Sequence, residues 1–389
     1  MERKLAHIEK VEWVKPIDGA DNIELIGVLG WTCIAKKGEF KEGDTTVYIE
    51  IDSKVPETDE RFEFLANKKY KVKTMKLSKF GVISQGLALP ITVFPELSGK
   101  NIGDDATDEL HIVYSVDEDN IRKASKVNPE EKYKAMAARN PKLFKHPIVR
   151  RIIKHKIGRQ IMFFLFGRKK DKPLAFPTHF EFVHKTDEER VENMPWVLNN
   201  KNPLTVTEKL DGTSSTYILE RKGRKKFEFY VLSRNVRQMT PDQKCYHDDN
   251  IYWNMAIKYD IEKHLREYME QNSVLKYVCI QGESVGSVQK NPLKLKEDQL
   301  FVFNFIDSES GRIDSKVAKP LIESWGMQWV PVLDENYIIP DDMETFKQYA
   351  TAKSVVNPNV MREGIVLRDY STGLSFKNVS REYLLKHNG

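Results

Sequence analysis

Residues 1 to about 115 alternate short apolar or β-branched stretches with turn signals. IELIGVLGWTCIAKK (23–37), TTVYIEI (45–51), YKVKTMKL (70–77) and QGLALPI (85–91) are punctuated by DGAD, KEGD and KFG. Strands this short and this regularly spaced predict a small barrel. The pattern changes after residue 120. In HPIVRRIIKHKIGRQIMFFLFG, Ile148 and Ile152, then Ile153, Ile157 and Ile161, recur at four-residue steps with Lys and Arg between them. That period predicts a basic amphipathic helix, ended by Gly167. From about Leu174 the periods mix. Strands are predicted at 203–207, 215–220, 227–233, 277–283, 300–306, 364–369 and 373–377, and helices at 247–271, 314–326 and 341–353. The expected class is α+β, with a β-rich front domain (1–118), a basic helical connector (119–173) and a larger rear domain (174–389).

Composition narrows the setting. The chain has 389 residues, 40% apolar and 31% charged, which suits folded domains with sizeable cores. Cys33, Cys245 and Cys279 lie far apart, with neither metal-ligand spacing nor a disulfide framework, so a reducing, intracellular and cytoplasmic setting is expected. MERKLAHIEK lacks the apolar core of a secretory leader, and the run Ile161–Phe166 is far too short to span a bilayer. Charge is unevenly placed. Residues 121–172 hold seventeen Lys/Arg and three Asp/Glu, a local +14 in a chain of net +5, so the remainder carries −9. Such a block suits a phosphate-rich partner or a solvated linker.

The stretch TVTEKLDGTSS (205–215) raises a chemical question. Lys209 ends a predicted strand and is followed by Asp211, Gly212 and small hydroxyl residues. A lysine becomes a nucleophile when its surroundings free the amine. Downstream, LSRN (232–235), IQGES (280–284), FVFNFID (301–307), REGIVLRD (362–369) and LSFKN (374–378) each lie on or end a predicted strand. Each offers a group suited to a nucleotide. Arg234 suits ribose or phosphate, and Glu283 suits ribose hydroxyls. Phe301, Phe303 and Phe305 share a face by period two, as an aromatic wall or as core. Glu363 suits a metal or its waters, and Lys377 a phosphate.

This ordered set resembles the covalent lysyl-nucleotidyltransferases, which comprise DNA and RNA ligases and mRNA capping enzymes. Lys209-x-Asp211-Gly212 matches motif I, Ser233-Arg234-Asn235 motif Ia, Gly282-Glu283 motif III, 301–307 motif IIIa, Glu363-Gly364 motif IV and Phe376-Lys377 motif V. DNA ligases and capping enzymes place a barrel after motif V, whereas only twelve residues follow Lys377 here. The barrel-like region lies in front, as in the Naegleria-type RNA ligases. KPIDGADNIELIGVLGW, KKGEFKEGD, YIEIDSKVP, VKTMKLSKFGVISQGLALP and KTDEERVEN add local matches to that family. Two departures stand out. Ser375 occupies a motif V position that commonly carries a second basic residue, and Glu192 stands where a glutamine is expected.

The resemblance implies an N-terminal OB barrel that binds nucleic acid and a C-terminal ligase domain of antiparallel sheets flanked by helices. It implies an ATP-dependent RNA ligase, with ATP and Mg²⁺ or Mn²⁺ as cofactors. Lys209 would be the nucleophile, assisted by Lys377 and Asp211. Glu208, Lys209, Gly212, Arg234, Glu283, Phe303 and Lys377 would bind the nucleotide, and Glu363, Glu283 and Asp211 the metal. Arg190, Lys36, Lys37, Lys73 and Lys76 would contact RNA, with Trp31 and Tyr70 as aromatic partners on the barrel. The expected partner is an RNA end, at a duplex nick, met by a monomer away from any membrane. Alternatives on the same scaffold are a guanylyltransferase, a DNA ligase or a catalytically idle RNA-binding module.

Overall fold

Strand β1 (Ala6–Pro16) is the spine of the front region, and its side-chain alternation breaks in the middle. Residues 6–10 pair with β4 (Thr45–Ile49), whereas residues 11–16 pair with β2 (Ile23–Val28). The register slips between Val11 and Trp13, so Glu12 is an extra residue. Such a bulge bends a strand and lets it serve two sheet segments. It also erases the period of two, which is why this strand, the longest of the barrel, is not legible as a pattern. With β3 (Trp31–Lys36) and β5 (Leu87–Pro90) the order is β3-β2-β1-β4-β5, all antiparallel. Val11, Ile26, Val28, Trp31, Tyr48 and Ala88 fill the curled sheet, an OB-like half-barrel. Of YKVKTMKL, only Met75–Leu77 is a strand, paired with Val82–Ser84.

The computed structural model describes residues 4–115, 146–153, 155, 158, 162, 174–238, 240 and 250–387. Its described parts fall into two compact units. One gathers residues within 1–51, 72–109 and 173–389, so the barrel strands and the rear region belong together. The other gathers residues within 52–71 and 110–172. In this second unit Ser53–Lys54 pairs with Val113–Tyr114, and the 3₁₀ segment Glu60–Lys68 starts at Asp59, whose carboxylate accepts from the Arg61 amide. The predicted basic helix is seen over Pro147–Ile152. Most of its remaining length, and the connector from 116 to 145, lie outside the described residues. Among the described residues no helix is long and apolar enough to cross a membrane.

The rear region runs β6 (Glu189–Arg190), β7 (Leu204–Lys209), β8 (Thr213–Gly223), β9 (Lys226–Ser233), α1 (Ile251–Lys258), α2 (Ile261–Gln271), β10 (Tyr277–Val285), β11 (Gln299–Asp307), α3 (Ser315–Ser324), β12 (Val332–Tyr337), α4 (Met343–Tyr349), β13 (Gly364–Arg368), β14 (Ser375–Val379) and α5 (Arg381–His387), with shorter strands between. The helix predicted over 247–271 is two helices in its described part. Asp260 adopts a left-handed conformation (φ 45°) that ends one and starts the next. Strands β9-β8-β10-β11 form the antiparallel middle of an eight-stranded sheet. One face packs on α1–α3 through Tyr217, Leu219, Ile280, Phe301, Phe305, Met255, Leu265 and Ile322. The second sheet has the order β6-β14-β13-β7-β12, with β6 parallel to β14. Its outer face packs Val206, Ile365, Leu367 and Phe376 on Phe346 of α4. The expected α+β class with a front barrel is the observed one.

Candidate active site

Lys209 is the last residue of β7, in the five-stranded sheet, and β8 belongs to the other sheet. Leu210-Asp211-Gly212 therefore carries the chain across the gap between them. Gly212, expected to bind the nucleotide, packs closely against β10. A Cβ there would sit 2.4 Å from the Ser284 carbonyl oxygen on β10. The Gly212 amide donates to Glu283 Oε1 at 3.1 Å, which fixes that carboxylate beside the crossing.

Three carboxylates converge on the lysine. Lys209 Nζ donates to Glu363 Oε2 at 2.7 Å, while the Tyr383 hydroxyl donates to Asp211 Oδ2 at 2.5 Å. Both members of the Lys209–Glu363 pair keep some exposure, 27% and 17% of their side chains. Burial alone would lower the Lys209 pKa, but Glu363, Glu283 and Asp211 outweigh it and the net shift is upward. Burial pushes Glu283 up to about 8, with Lys209 opposing and Glu363 and Asp211 adding to the rise. Glu363 is likewise raised by burial, against the pull of Lys209. The cluster thus holds an ammonium and too much negative charge. Among the described residues, no group of three His, Cys, Asp or Glu is placed to hold a metal ion by itself.

Strand alternation decides which residues share this gap. On β7, Thr205, Thr207 and Lys209 face one way and Leu204, Val206 and Glu208 the other. Glu208, expected to bind the nucleotide, therefore lies on the opposite face of β7 from Lys209. It is 1% exposed, its Oε2 accepts from the Val355 amide at 2.8 Å, and burial raises its pKa. On the neighbouring strands, registry puts Val366 beside Thr207 and Lys377, and Arg368 beside Thr205 and Ser375. The segment preceding β6 supplies counter-charges. Asp187 accepts from Arg234 at 2.6 Å and from Lys377 at 3.0 Å, and Glu188 accepts from Arg368 at 3.1 Å. The two expected phosphate-binding cations, Arg234 and Lys377, are thus brought together through one carboxylate.

Comparison with known proteins bears on this arrangement. A family profile described as RNA ligase matches residues 202–385, and one described as an OB-fold domain matches residues 5–91. Among curated proteins no sequence match is significant. Solved structures of Naegleria gruberi RNA ligase superpose along the whole chain. The form with PPi is 29% identical, with a TM-score of 0.73 over 100% of this chain and 99% of that one. A lysine-to-alanine variant with ATP and Mn is 28% identical, with a TM-score of 0.72 over 99% and 98%. A glutamate-to-alanine variant with ATP and Mn is 30% identical, with a TM-score of 0.74 over 100% of both chains. The chain belongs to the RNA ligase family.

Four residues at the site of this ligase, Asp187, Glu188, Arg368 and Tyr383, are not among those singled out from the sequence. Asp187 and Glu188 belong to KTDEERVEN, and Arg368 lies two residues beyond Val366 on the face that alternation assigns to Lys209. The period of two was therefore a usable signal for Arg368. Tyr383 carried none, because it follows the last motif.

Phe303 is partly buried, with the Arg368 guanidinium 5.7 Å from its ring centre. The period-two face expected for the three phenylalanines is interrupted. The β10–β11 register slips between Gln281 and Gly282, and Phe303 is the residue left over, while Phe301 and Phe305 enter the core. Arg190, expected on RNA, is 5% exposed with its guanidinium 5.9 Å from the Trp31 ring centre. Trp31, expected on a nucleic-acid groove, is 1% exposed. Lys36, Lys37 and Lys76 are exposed and Lys73 is partly so.

Proposed function

We propose that this RNA ligase uses ATP to join RNA 3′-OH and 5′-phosphate ends, with nicked duplexes as substrate, through three transfers at one site. Lys209 Nζ attacks the α-phosphorus of ATP, forming a P–N bond and releasing pyrophosphate. The AMP then passes to an RNA 5′-phosphate oxygen, freeing the lysine. An RNA 3′-OH attacks that activated phosphorus, and AMP leaves as the new phosphodiester forms. The observation that carries this reading is the half-buried Lys209–Glu363 pair at 2.7 Å, with Glu283 and Asp211 beside it, between two sheets.

In this resting arrangement the carboxylates hold Lys209 as an ammonium, which is not nucleophilic. An all-oxygen donor set with excess negative charge fits a hard divalent cation that keeps part of its water shell. Bound near Glu363, Glu283 and Asp211, Mg²⁺ or Mn²⁺ would supply positive charge to the α-phosphate and weaken the carboxylates' hold on the ammonium. Lys377 and Arg234 would exchange Asp187 for phosphate or ribose oxygens. Phe303 would line the base. Lys36, Lys37, Lys73 and Lys76 would attract the RNA backbone. Relatives solved with ATP and Mn support the choice of nucleotide and metal.

The test is intact mass after incubation with ATP and Mg²⁺, for the wild type and Lys209→Ala. One added AMP on the wild type alone is expected, followed by sealing of a nicked RNA duplex. An adduct formed with GTP instead would move the reading to guanylyl transfer. No adduct with either nucleotide, on folded protein free of bound AMP, would leave only RNA binding.

A further inference from the structure

Helix α5 joins features far apart in the sequence within five residues. Ser380, just before it, donates its amide to the Glu363 carbonyl at 2.9 Å. Arg381 Nε donates to Gln85 Oε1 of the barrel at 3.1 Å, and its Nη1 to Glu344 Oε1 at 2.6 Å. Leu384, 4% exposed, lies in the barrel core with Val11, Ile26, Val28 and Trp31. Between them, Tyr383 is 7% exposed and gives its hydroxyl to Asp211 Oδ2 at 2.5 Å. Its ring stacks on His387, with centres 4.1 Å apart and planes 16° from parallel.

We infer that Tyr383 is a positioning residue for Asp211, and that α5 anchors it in the barrel core. Asp211 sits in a three-residue crossing between sheets, where backbone pairing does not fix its side chain. Its carboxylate is drawn to the Tyr383 hydroxyl and the Lys209 ammonium, with His387 also nearby. A short bond from a buried hydroxyl to a carboxylate is strong and directional, so it holds Asp211 to one side. Released, Asp211 would be drawn to Lys209 and add a second carboxylate contact to a nucleophile that Glu363 already masks. Small displacements of groups around a reacting atom have large rate effects. The same helix makes this alignment depend on the barrel, because Leu384 is fixed there one residue away.

The inference rests on the ligase reading, and single-turnover formation of the AMP adduct separates the two. Tyr383→Phe keeps the ring packing and removes only the hydroxyl. The expected result is an adduct rate about tenfold lower, with ATP half-saturation within about twofold and an unchanged unfolding midpoint. Leu384→Ala keeps the hydroxyl and loosens the anchor, and should lower the same rate by about threefold at unchanged half-saturation. A wild-type rate in Tyr383→Phe would overturn the positioning role. So would a fall matched by lost ATP affinity and lower thermal stability. A wild-type rate in Leu384→Ala would overturn the barrel link. No adduct on the wild type would overturn the ligase reading and this one with it.

Discussion

The cleft around Lys209 and the junction between barrel and rear region both bury charge, with opposite results. At the junction the buried charges lie beside protein partners, although Glu192 Oε2 and His7 Nε2 make no hydrogen bond. The Gly30 amide donates to the Glu192 carbonyl at 2.7 Å, and Lys347 Nζ donates to the Gly30 carbonyl. Trp31 Nε1 donates to Asn193 Oδ1 at 2.6 Å, and Asn193 Nδ2 donates to Glu50 Oε1. His7 lies 2.7 Å from Glu9 and 3.6 Å from Glu50. His7, Glu9, Glu50, Glu192 and Lys347 are all under a tenth exposed. In the cleft, three carboxylates face one lysine that remains accessible. Buried charge by itself therefore does not mark the chemistry. Imbalance combined with access does, because only there can a ligand supply what is missing.

The comparison is sharpest for a change in the cleft. Glu363→Gln should slow AMP-adduct formation by about 100-fold or more while moving the unfolding midpoint by only a few degrees. Quenched-flow and calorimetry check this, and a larger loss of stability than of activity would break the contrast. At the junction the opposite is expected. Glu50→Ala leaves His7 and Asn193 short of a buried partner and should cost about 3–5 kcal/mol in urea unfolding.

His7 adds a pH signature. Burial would lower its pKa, but Glu50 and Glu9 raise it to about 9 from 6.5. A raised cationic group stabilises fully below the unfolded value and loses that contribution as pH climbs through the folded one. Stability should therefore drop by up to about 3 kcal/mol between pH 6.5 and 9, and His7→Gln should flatten the slope. Glu283 follows the same sign from the cleft side. Its carboxyl is lifted to about 8 from 4.5, so its contribution to stability is lost as pH climbs from the lower value through the higher. Glu283→Gln should melt slightly above the wild type at pH 8 and alongside it near pH 4.5, while losing adduct formation. The smallest effect belongs to the barrel surface. Lys36→Ala and Lys37→Ala should each reduce the salt slope of RNA binding by about one, without changing the adduct rate.

Local order along the chain determined a good deal. The alternation in TVTEK by itself separates Lys209 from Glu208, and the same period places Arg368 with Lys209 rather than with the core. The order of strand-borne motifs after Lys209 marked the candidate site, and the short, evenly spaced strands of the first 115 residues placed the barrel in front. What tertiary structure decided is how charges pair across elements distant in the chain. Asp187 serves Arg234 and Lys377, Tyr383 serves Asp211, and Trp31 turns inward to Asn193 instead of outward to RNA. Period and composition report which face of a strand a residue occupies. They do not report what the opposite surface brings to within hydrogen-bonding distance, and in low-dielectric gaps that neighbour sets both protonation and role.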